Sequence, residues 1–522
     1  MTLMLTLGTA AFGAQKTLPS GKDTGSINVT NLKPGDTVTA YQFVKADYNE
    51  YGFTGYSAIN NYVKDPVAPT AQEVIDMASN AATMTVAAEK KVATGDTEVT
   101  LNGLPVGYYL VMVTSGSETV YSPMIAGIYY SKSATDNTLT NGAISADSDF
   151  EIKAQKCWAK SSTPKLEKTI VTPSSKNSKG DDIAIGDKIT FNLSATVPSY
   201  SKEYKKVTYK IYDIMSEGLD YVDGSMKCFI EKYENNRENI KVTPKVNGGI
   251  IEITFDSKFI LEHPGQKIQV EYQAKLNEKA GVNFDANINK AYLEYSNNPA
   301  SGSTAKTGED KVYVYTFGIN SNLFGKSTEK WNEKTKELIK VEEGEYQWVE
   351  TEKESGIFTT TTALEGATFT LTNNKTKKSY TATSDKYGYL KFTGLDAGEY
   401  TLQETDAPDG FTLNDAKHTV VITAEYNQDG TLKSYTIKID DKATSTYTAT
   451  YDKGVIKTIT STKDSQGNIS ESAILKNSKM SFLPSTGGVG TTIFAIVGVV
   501  FVAAALGLHM ILRGKSKLEQ DR

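Results

Sequence analysis

Short runs in which apolar and polar residues alternate make up most of this chain. Residues 188–195 (KITFNLSA) put Ile189, Phe191 and Leu193 on one face and Lys188, Thr190 and Asn192 on the other. Residues 267–274 (KIQVEYQA) repeat the pattern. This period of two predicts half-buried strands. Similar stretches occur at 26–31, 37–44, 97–101 and 108–113, and again at 367–372, 389–392 and 399–404. Turn residues such as Asn297-Asn298-Pro299 and Pro408-Asp409-Gly410 punctuate them. One segment has helical spacing instead: 72–78 (QEVIDMA), after Pro69-Thr70, with Thr70 placed to cap it. Many short strands with few helices predict an all-β chain of sandwiches in series.

Two continuous apolar runs differ from these. Met1 to Ala14 ends in small residues and has the character of the apolar and cleavage regions of a secretory signal, with cleavage between about Ala11 and Gln15. It has no basic start, so the signal reads as truncated. The run 489–512 is long enough, at about 1.5 Å per residue, to cross a bilayer core of roughly 30 Å. Arg513, Lys515, Lys517 and Arg522 follow it and resist translocation, which predicts a C-terminal transmembrane helix with a cytoplasmic tail.

The 522 residues are enough for two to four domains. Pattern breaks divide the chain into a signal at 1–14, β-domains at 15–160, 161–315 and 316–482, and a terminal segment at 483–522. Residues 104–110 (LPVGYYL) and 395–402 (LDAGEYTL) both lead from a turn into a Tyr-bearing strand, a weak sign of a repeated domain type.

Composition narrows the function. A net charge of −6, with no long basic stripe, argues against nucleic-acid binding. Thirty Tyr fit strands with wide exposed faces. The two cysteines, Cys157 and Cys228, fall in an expected linker and an expected strand; a disulfide between them is conceivable outside the cell but has no geometric support. His263, His418 and His509 lie far apart, and no zinc spacing, phosphate loop, dinucleotide fingerprint or glycosidase motif occurs. Asp440-Asp441 lacks the spacing of an EF-hand loop. No cofactor, no metal and no enzymatic activity are expected.

The C-terminus carries a resemblance. Leu483-Pro484-Ser485-Thr486-Gly487, then the apolar run, then the basic tail, resembles the cell-wall sorting signal read by sortase transpeptidases. That resemblance implies attack by an enzyme cysteine on the Thr486–Gly487 carbonyl and transfer of Thr486 to an amine. Pro484 and Gly487-Gly488 favour the extended backbone such a substrate needs.

Residues 400–411 (YTLQETDAPDGF) resemble the E-box of Gram-positive pilins. Alternation sets Tyr400, Leu402 and Glu404 on one face, so Glu404 points into the core, where a carboxylate is costly unless paired or protonated. The resemblance implies that Glu404 assists an intramolecular isopeptide bond between a lysine of the first strand and an asparagine of the last. Asn477 in 473–477 (AILKN) fits the asparagine; the expected lysine position falls near Leu323, so Lys326 serves only if its strand is shifted or bulged. In the second segment, 164–170 (PKLEKTI) and 289–295 (NKAYLEY) resemble the opening and closing strands of a pilin middle domain. They imply Lys168 and Asn289 as bond partners, with Asp213 in 212–219 (YDIMSEGL) as the assisting acid and Glu271 as its alternative. Trp158-Ala159-Lys160 resembles a degraded Tyr-Pro-Lys pilin motif, implying Lys160 as an exposed, mobile acceptor amine, with Lys153, Lys156 and Lys165 as rivals.

Together these motifs identify the chain as resembling the sortase-assembled major (backbone) pilins of Gram-positive bacteria. The resemblance implies tandem immunoglobulin-like β-sandwiches of the collagen-adhesin type plus a C-terminal transmembrane helix. It also implies a structural role: covalent polymerisation by sortase from Thr486 to Lys160 of the next subunit. The implied partners are sortase, identical subunits, tip and basal pilins and peptidoglycan, with no nucleic acid, and with membrane contact only before sorting. The implied location is an extracellular, wall-anchored pilus. A basal or accessory pilin, or a monomeric wall-anchored adhesin, is the alternative; a surface enzyme on a β-scaffold lacks the catalytic constellations it would need.

Overall fold

Alternating sequence becomes alternating burial along nearly every strand. The computed structural model describes residues 18–477, apart from 116–117, 132–141, 145–149, 172–176, 234–235, 320–323, 333–348, 351–357, 387, 389, 441–442 and 462–472. The signal-like segment, the Leu483–Gly487 pentapeptide and the 489–512 run lie outside the described residues. Among the described residues no helix is long and apolar enough to cross a membrane.

The first body is built on the strand Thr37–Asn49, which pairs with Gly52–Ala58, Val86–Lys91 and Gly107–Thr114; Met124–Ser131 and Glu151–Ala154 extend this sheet. A smaller sheet sets Thr24–Thr30 between Cys157–Trp158 and Glu98–Pro105. Ile27, Val38, Tyr109, Val111, Ile128 and Tyr130 fill the core. The helix Ala71–Ser79 starts at a capping box: Thr70 Oγ1 accepts from Glu73 N–H while the Glu73 carboxylate accepts from Thr70 N–H at 2.8 Å. Cys157 is in a buried strand, not a linker, because its backbone runs parallel to Thr24–Thr30. Cys157 and Cys228 are free thiols buried in separate cores. Burial pushes them up to about 11 and about 12, so both stay protonated and inert.

The middle body is two facing sheets. One runs Leu166–Ile170, Lys188–Thr196, Lys267–Leu276, Lys227–Tyr233, Asn236–Ile240. The other runs Gly180–Asp182, Asp310–Tyr315, Asn287–Asn298, Tyr209–Met215, Ile250–Thr254, Lys245–Asn247. Phe191, Leu193, Ile211, Ile253, Val270 and Leu293 meet between them. The strand holding Asn289 is not the closing strand. Asp310–Tyr315 follows it and pairs with it, Asn289 opposite Val312.

The third body centres on a seven-stranded antiparallel sheet: Ser379–Thr383, Thr368–Asn373, Gly398–Asp406, Lys417–Tyr426, Leu432–Ile439, Ala443–Asp452, Val455–Ser461. Its core also takes residues from Phe317–Ile319 and Phe392–Leu395, and Leu475 from Ala473–Asn477. The strand predicted at 389–392 starts only at Phe392. Middle and third bodies share a buried joint. Phe284, Tyr315 and Phe317 enter the third core, and Leu432 N–H donates to Tyr315 Oη at 2.9 Å. Asp182 accepts from Ala397 N–H and from Tyr426 Oη. Only glycines fit where Gly180 meets Gly430: a Cβ on Gly180 would lie 2.2 Å from the Gly430 carbonyl oxygen.

Candidate crosslinking site

Lys168 is carried into the middle core by strand periodicity. In Leu166–Ile170, residues 166, 168 and 170 are buried and Glu167 is exposed. A lysine there needs partners, because an isolated buried ammonium is very costly. Lys168 Nζ, 0% exposed, donates to Asp213 Oδ2 and, at 3.1 Å, to Tyr272 Oη. It also lies 5.0 Å from the centre of the Phe191 ring. Tyr272 Oη donates to Asp213 Oδ1 at 2.7 Å and accepts from Asn289 Nδ2 at 2.7 Å. Asn289 is fully buried and its Oδ1 has no hydrogen-bond partner among the described residues.

The four groups come from both sheets. Lys168 and Tyr272 lie on Leu166–Ile170 and Lys267–Leu276; Asp213 and Asn289 lie on Tyr209–Met215 and Asn287–Asn298, where residue 213 pairs with Ala291 and residue 289 with Met215. Burial lowers the Lys168 pKa below that of an ordinary lysine, and the Asp213 carboxyl opposes that shift. The Tyr272 phenol is raised well above its usual range by burial and by Asp213, so it stays protonated. The arrangement holds an amine with a weakened hold on its proton, a carboxyl and a phenol beside a carboxamide in a site closed to water. Such a set can condense amine with amide.

The other expected residues are placed as follows. Glu271 lies in the same strand as Tyr272 but on its opposite face, where its carboxylate accepts from Arg237 at 3.3 Å. Glu404 is 2% exposed, in line with Tyr400 and Leu402, and accepts from Asn414 N–H at 2.8 Å. Lys326 and Asn477 are on adjacent parallel strands, Lys326 opposite Leu475 and Asn477 opposite Thr328. Their side chains lie outside the described residues, so Glu404 is not seen with either. Lys160 is exposed, but its backbone is not a free loop. The Lys160 carbonyl accepts from Ser122 N–H and Ala159 N–H donates to the Thr30 carbonyl, both at 3.0 Å. Trp158 beside it is 70% exposed. Of the rivals, Lys153 pairs with Glu151 at 3.4 Å, while Lys156 and Lys165 are exposed.

Tyr272 is the member that sequence reasoning missed. Alternation in 267–274 predicts it to face inward, but an inward tyrosine on a strand is ordinary core material and carries no signal of its own.

Comparison with known proteins gives this geometry its setting. Residues 22–161 match the T6 antigen Ig-like domain, 357–440 a prealbumin-like fold domain, and 476–517 the LPXTG cell wall anchor motif. Along its length the chain is 26% identical to the trypsin-resistant surface T6 protein of Streptococcus pyogenes serotype M6, over 95% of this chain and 96% of that protein. The chain thus carries a cell wall anchor motif and is similar along its whole length to a streptococcal surface protein. Its fold is similar to that of the T6 backbone pilin of S. pyogenes serotype M6, a modular three-domain structure: TM-score 0.58 at 20% identity, over 89% of this chain and all of that one. The full-length major pilin SpaD of Corynebacterium diphtheriae is a looser likeness, TM-score 0.47 at 16% identity, covering 88% of this chain and 98% of that one. The anchor motif marks the chain as a wall-anchored surface protein, outside the cell.

Proposed function

We propose that this chain is a pilin, the backbone subunit of a fibre, joined by sortase from Thr486 of one copy to Lys160 of the next, and stiffened by internal Lys–Asn isopeptide bonds. The working divisions are domains at 15–160, 161–315 and 316–482, with a signal at 1–14 and the sorting segment at 483–522. The observation that carries the crosslink reading is the fully buried Lys168, set against Asp213 and sharing Tyr272 with Asn289. In the middle domain Asp213 assists condensation of Lys168 with Asn289. In the third, Glu404 assists condensation of Lys326 with Asn477. Bonding Lys168 to Asn289 closes a loop of roughly 120 residues, worth about 5 kcal/mol by the chain-entropy account and independent of redox conditions. That suits a surface protein with no disulfide among its described residues. Further partners on this reading are tip and basal pilins.

Two measurements test this reading. Intact-mass analysis of the exported ectodomain should show the loss of one ammonia for each bond, with digestion yielding a peptide that joins Lys168 to Asn289. Wall extracts should contain a ladder of SDS-resistant polymers that disappears in Lys160→Ala. Loss of ammonia from neither domain would overturn the crosslinks. A wild type attached to the wall without any ladder would make it a basal pilin or a monomeric adhesin instead.

A further inference from the structure

Asn289 has one side-chain contact that matters for its chemistry, and it is not with the acid. Asp213 uses Oδ2 to accept from Lys168 and Oδ1 to accept from Tyr272. Only the Tyr272 hydroxyl touches all three of the others, with Asn289 Nδ2 at 2.7 Å, Asp213 Oδ1 at 2.7 Å and Lys168 Nζ at 3.1 Å. The nitrogen it holds is the one that must leave as ammonia. The alternative amide orientation is disfavoured, since it would require the single hydroxyl proton to serve Asp213 Oδ1 and Asn289 Oδ1 at once.

Building on the crosslink reading above, we propose that Tyr272 is a catalytic residue of the Lys168–Asn289 condensation: its hydroxyl passes the proton that releases ammonia from Asn289. The neutral Lys168 amine attacks Asn289 Cγ, forming the Nζ–Cγ bond. Asp213 takes one proton from Nζ through Oδ2. With Lys168 neutral, Asp213 starts protonated on Oδ1; Tyr272 gives its hydroxyl proton to Nδ2 and regains that Oδ1 proton, so the carboxyl ends protonated on Oδ2 instead. The Cγ–Nδ2 bond breaks and ammonia departs, leaving Asp213 and Tyr272 neutral, as they began. No oxidant or co-reactant is needed. A protonated phenol is required at the start, and burial beside Asp213 keeps Tyr272 in that form. The Phe191 ring holds the phenol in position, packed on it at 5.5 Å between ring centres.

The experiment follows bond formation in the full chain. Cell-free synthesis at a series of pH values, quenched in acid at intervals and digested, gives the rate at which the Lys168–Asn289 peptide appears. Tyr272→Phe keeps the ring and removes the hydroxyl; linkage should slow by roughly a hundredfold, the usual range for loss of one proton-transfer group. Tyr221→Phe, a neighbouring ring outside the proton path, should link at the wild-type rate. Placing a fluorinated, more acidic tyrosine at 272 leaves the packing intact, so it serves even if Tyr272→Phe fails to fold. It should move the pH dependence of linkage, which a merely structural hydroxyl would not do. Wild-type rates in Tyr272→Phe, or an unmoved pH profile with the fluorinated residue, would overturn the role of Tyr272 alone. A wild-type chain that never yields the linked peptide would overturn the crosslink and this role together.

Discussion

Tyr109 and Tyr400 stand in different bodies of this protein and do the same local work. Each is fully buried, and each donates its hydroxyl to the carbonyl four residues back, Pro105 at 2.5 Å and Asp396 at 2.8 Å. Each follows a leucine and a glycine at matching positions, Leu104 and Gly107 in one case, Leu395 and Gly398 in the other. Four residues further on the strands diverge. The first body has Val113 there, in the apolar core; the third has the buried Glu404. The difference separates scaffold from chemistry. A tyrosine that pins a turn can be kept while the acid that would serve a crosslink is present in one copy and absent from the other. Among the described residues Lys168 is the one fully buried lysine, and it belongs to the middle body. The described part of the first body is held by packing and hydrogen bonds, notably by Phe53 packed edge-on or tilted against Tyr48, Tyr56 and Tyr130 and by Tyr130 donating to Asp23.

The contrast breaks most sharply at its point of divergence. On the crosslink proposal Glu404→Ala removes the third-domain bond and with it about 5 kcal/mol, whereas Val113→Ala should lose only about 1–2 kcal/mol and change no covalent mass. Calorimetry with peptide mapping reads both; equal small losses would erase the distinction. The reverse exchange, Val113→Glu, puts a carboxylate into a core with no prepared partner. It should lose about 2–4 kcal/mol at neutral pH in denaturant titration, and less at pH 4, where the acid can protonate.

The third body is also tied to its neighbour by a titrating group. Burial pushes the Asp182 carboxyl up to about 6, with Asp181 and Asp396 adding to the shift and the hydrogen bonds from Tyr426 and Ala397 opposing it. Asp429, Lys179, Lys378 and Asp187 stand around the same joint. A raised carboxyl favours the folded, protonated form. Its contribution is therefore full below the unfolded value near 4 and is lost as pH rises through about 6, an effect of up to about 3 kcal/mol. Asp182→Asn should flatten the pH dependence of the middle–third transition between those values; an unchanged slope would assign that dependence to other groups. The smallest effect sharpens the shared element itself. Tyr109→Phe and Tyr400→Phe should each lose about 1–2 kcal/mol in thermal unfolding, with the Tyr400 loss the larger because the Asp396 carboxylate also loses its donor.

How much of this was legible follows from range along the chain. Lys168 came from the resemblance, although the local spacing agrees with it, since residues 166, 168 and 170 share one strand face. Thr70 as a helix cap was local. Asp213 and Asn289 were reachable only through resemblance, since their strands meet Lys168 across two sheets and nothing local marks that meeting. Tyr272 escaped because its hydroxyl matters only once those three are assembled. Asn289 was misplaced on a closing strand because its long strand is followed by a hairpin back to Asp310–Tyr315, which sequence spacing did not separate. The joint of Asp182 with Ala397 and Tyr426 joins residues more than two hundred positions apart, and the Gly180–Gly430 approach is just as distant.

The ladder bonds around Lys160 have a consequence for assembly. Ala159 and Lys160 are fixed by Thr30 and Ser122, residues brought there only when the first body has closed. If Lys160 is the acceptor, the address that sortase reads is a finished surface and not a peptide word. An unfolded copy would display the same letters without the place. Each covalent joint in the fibre would then certify the folding of the subunit that received it, and polymerisation would double as inspection.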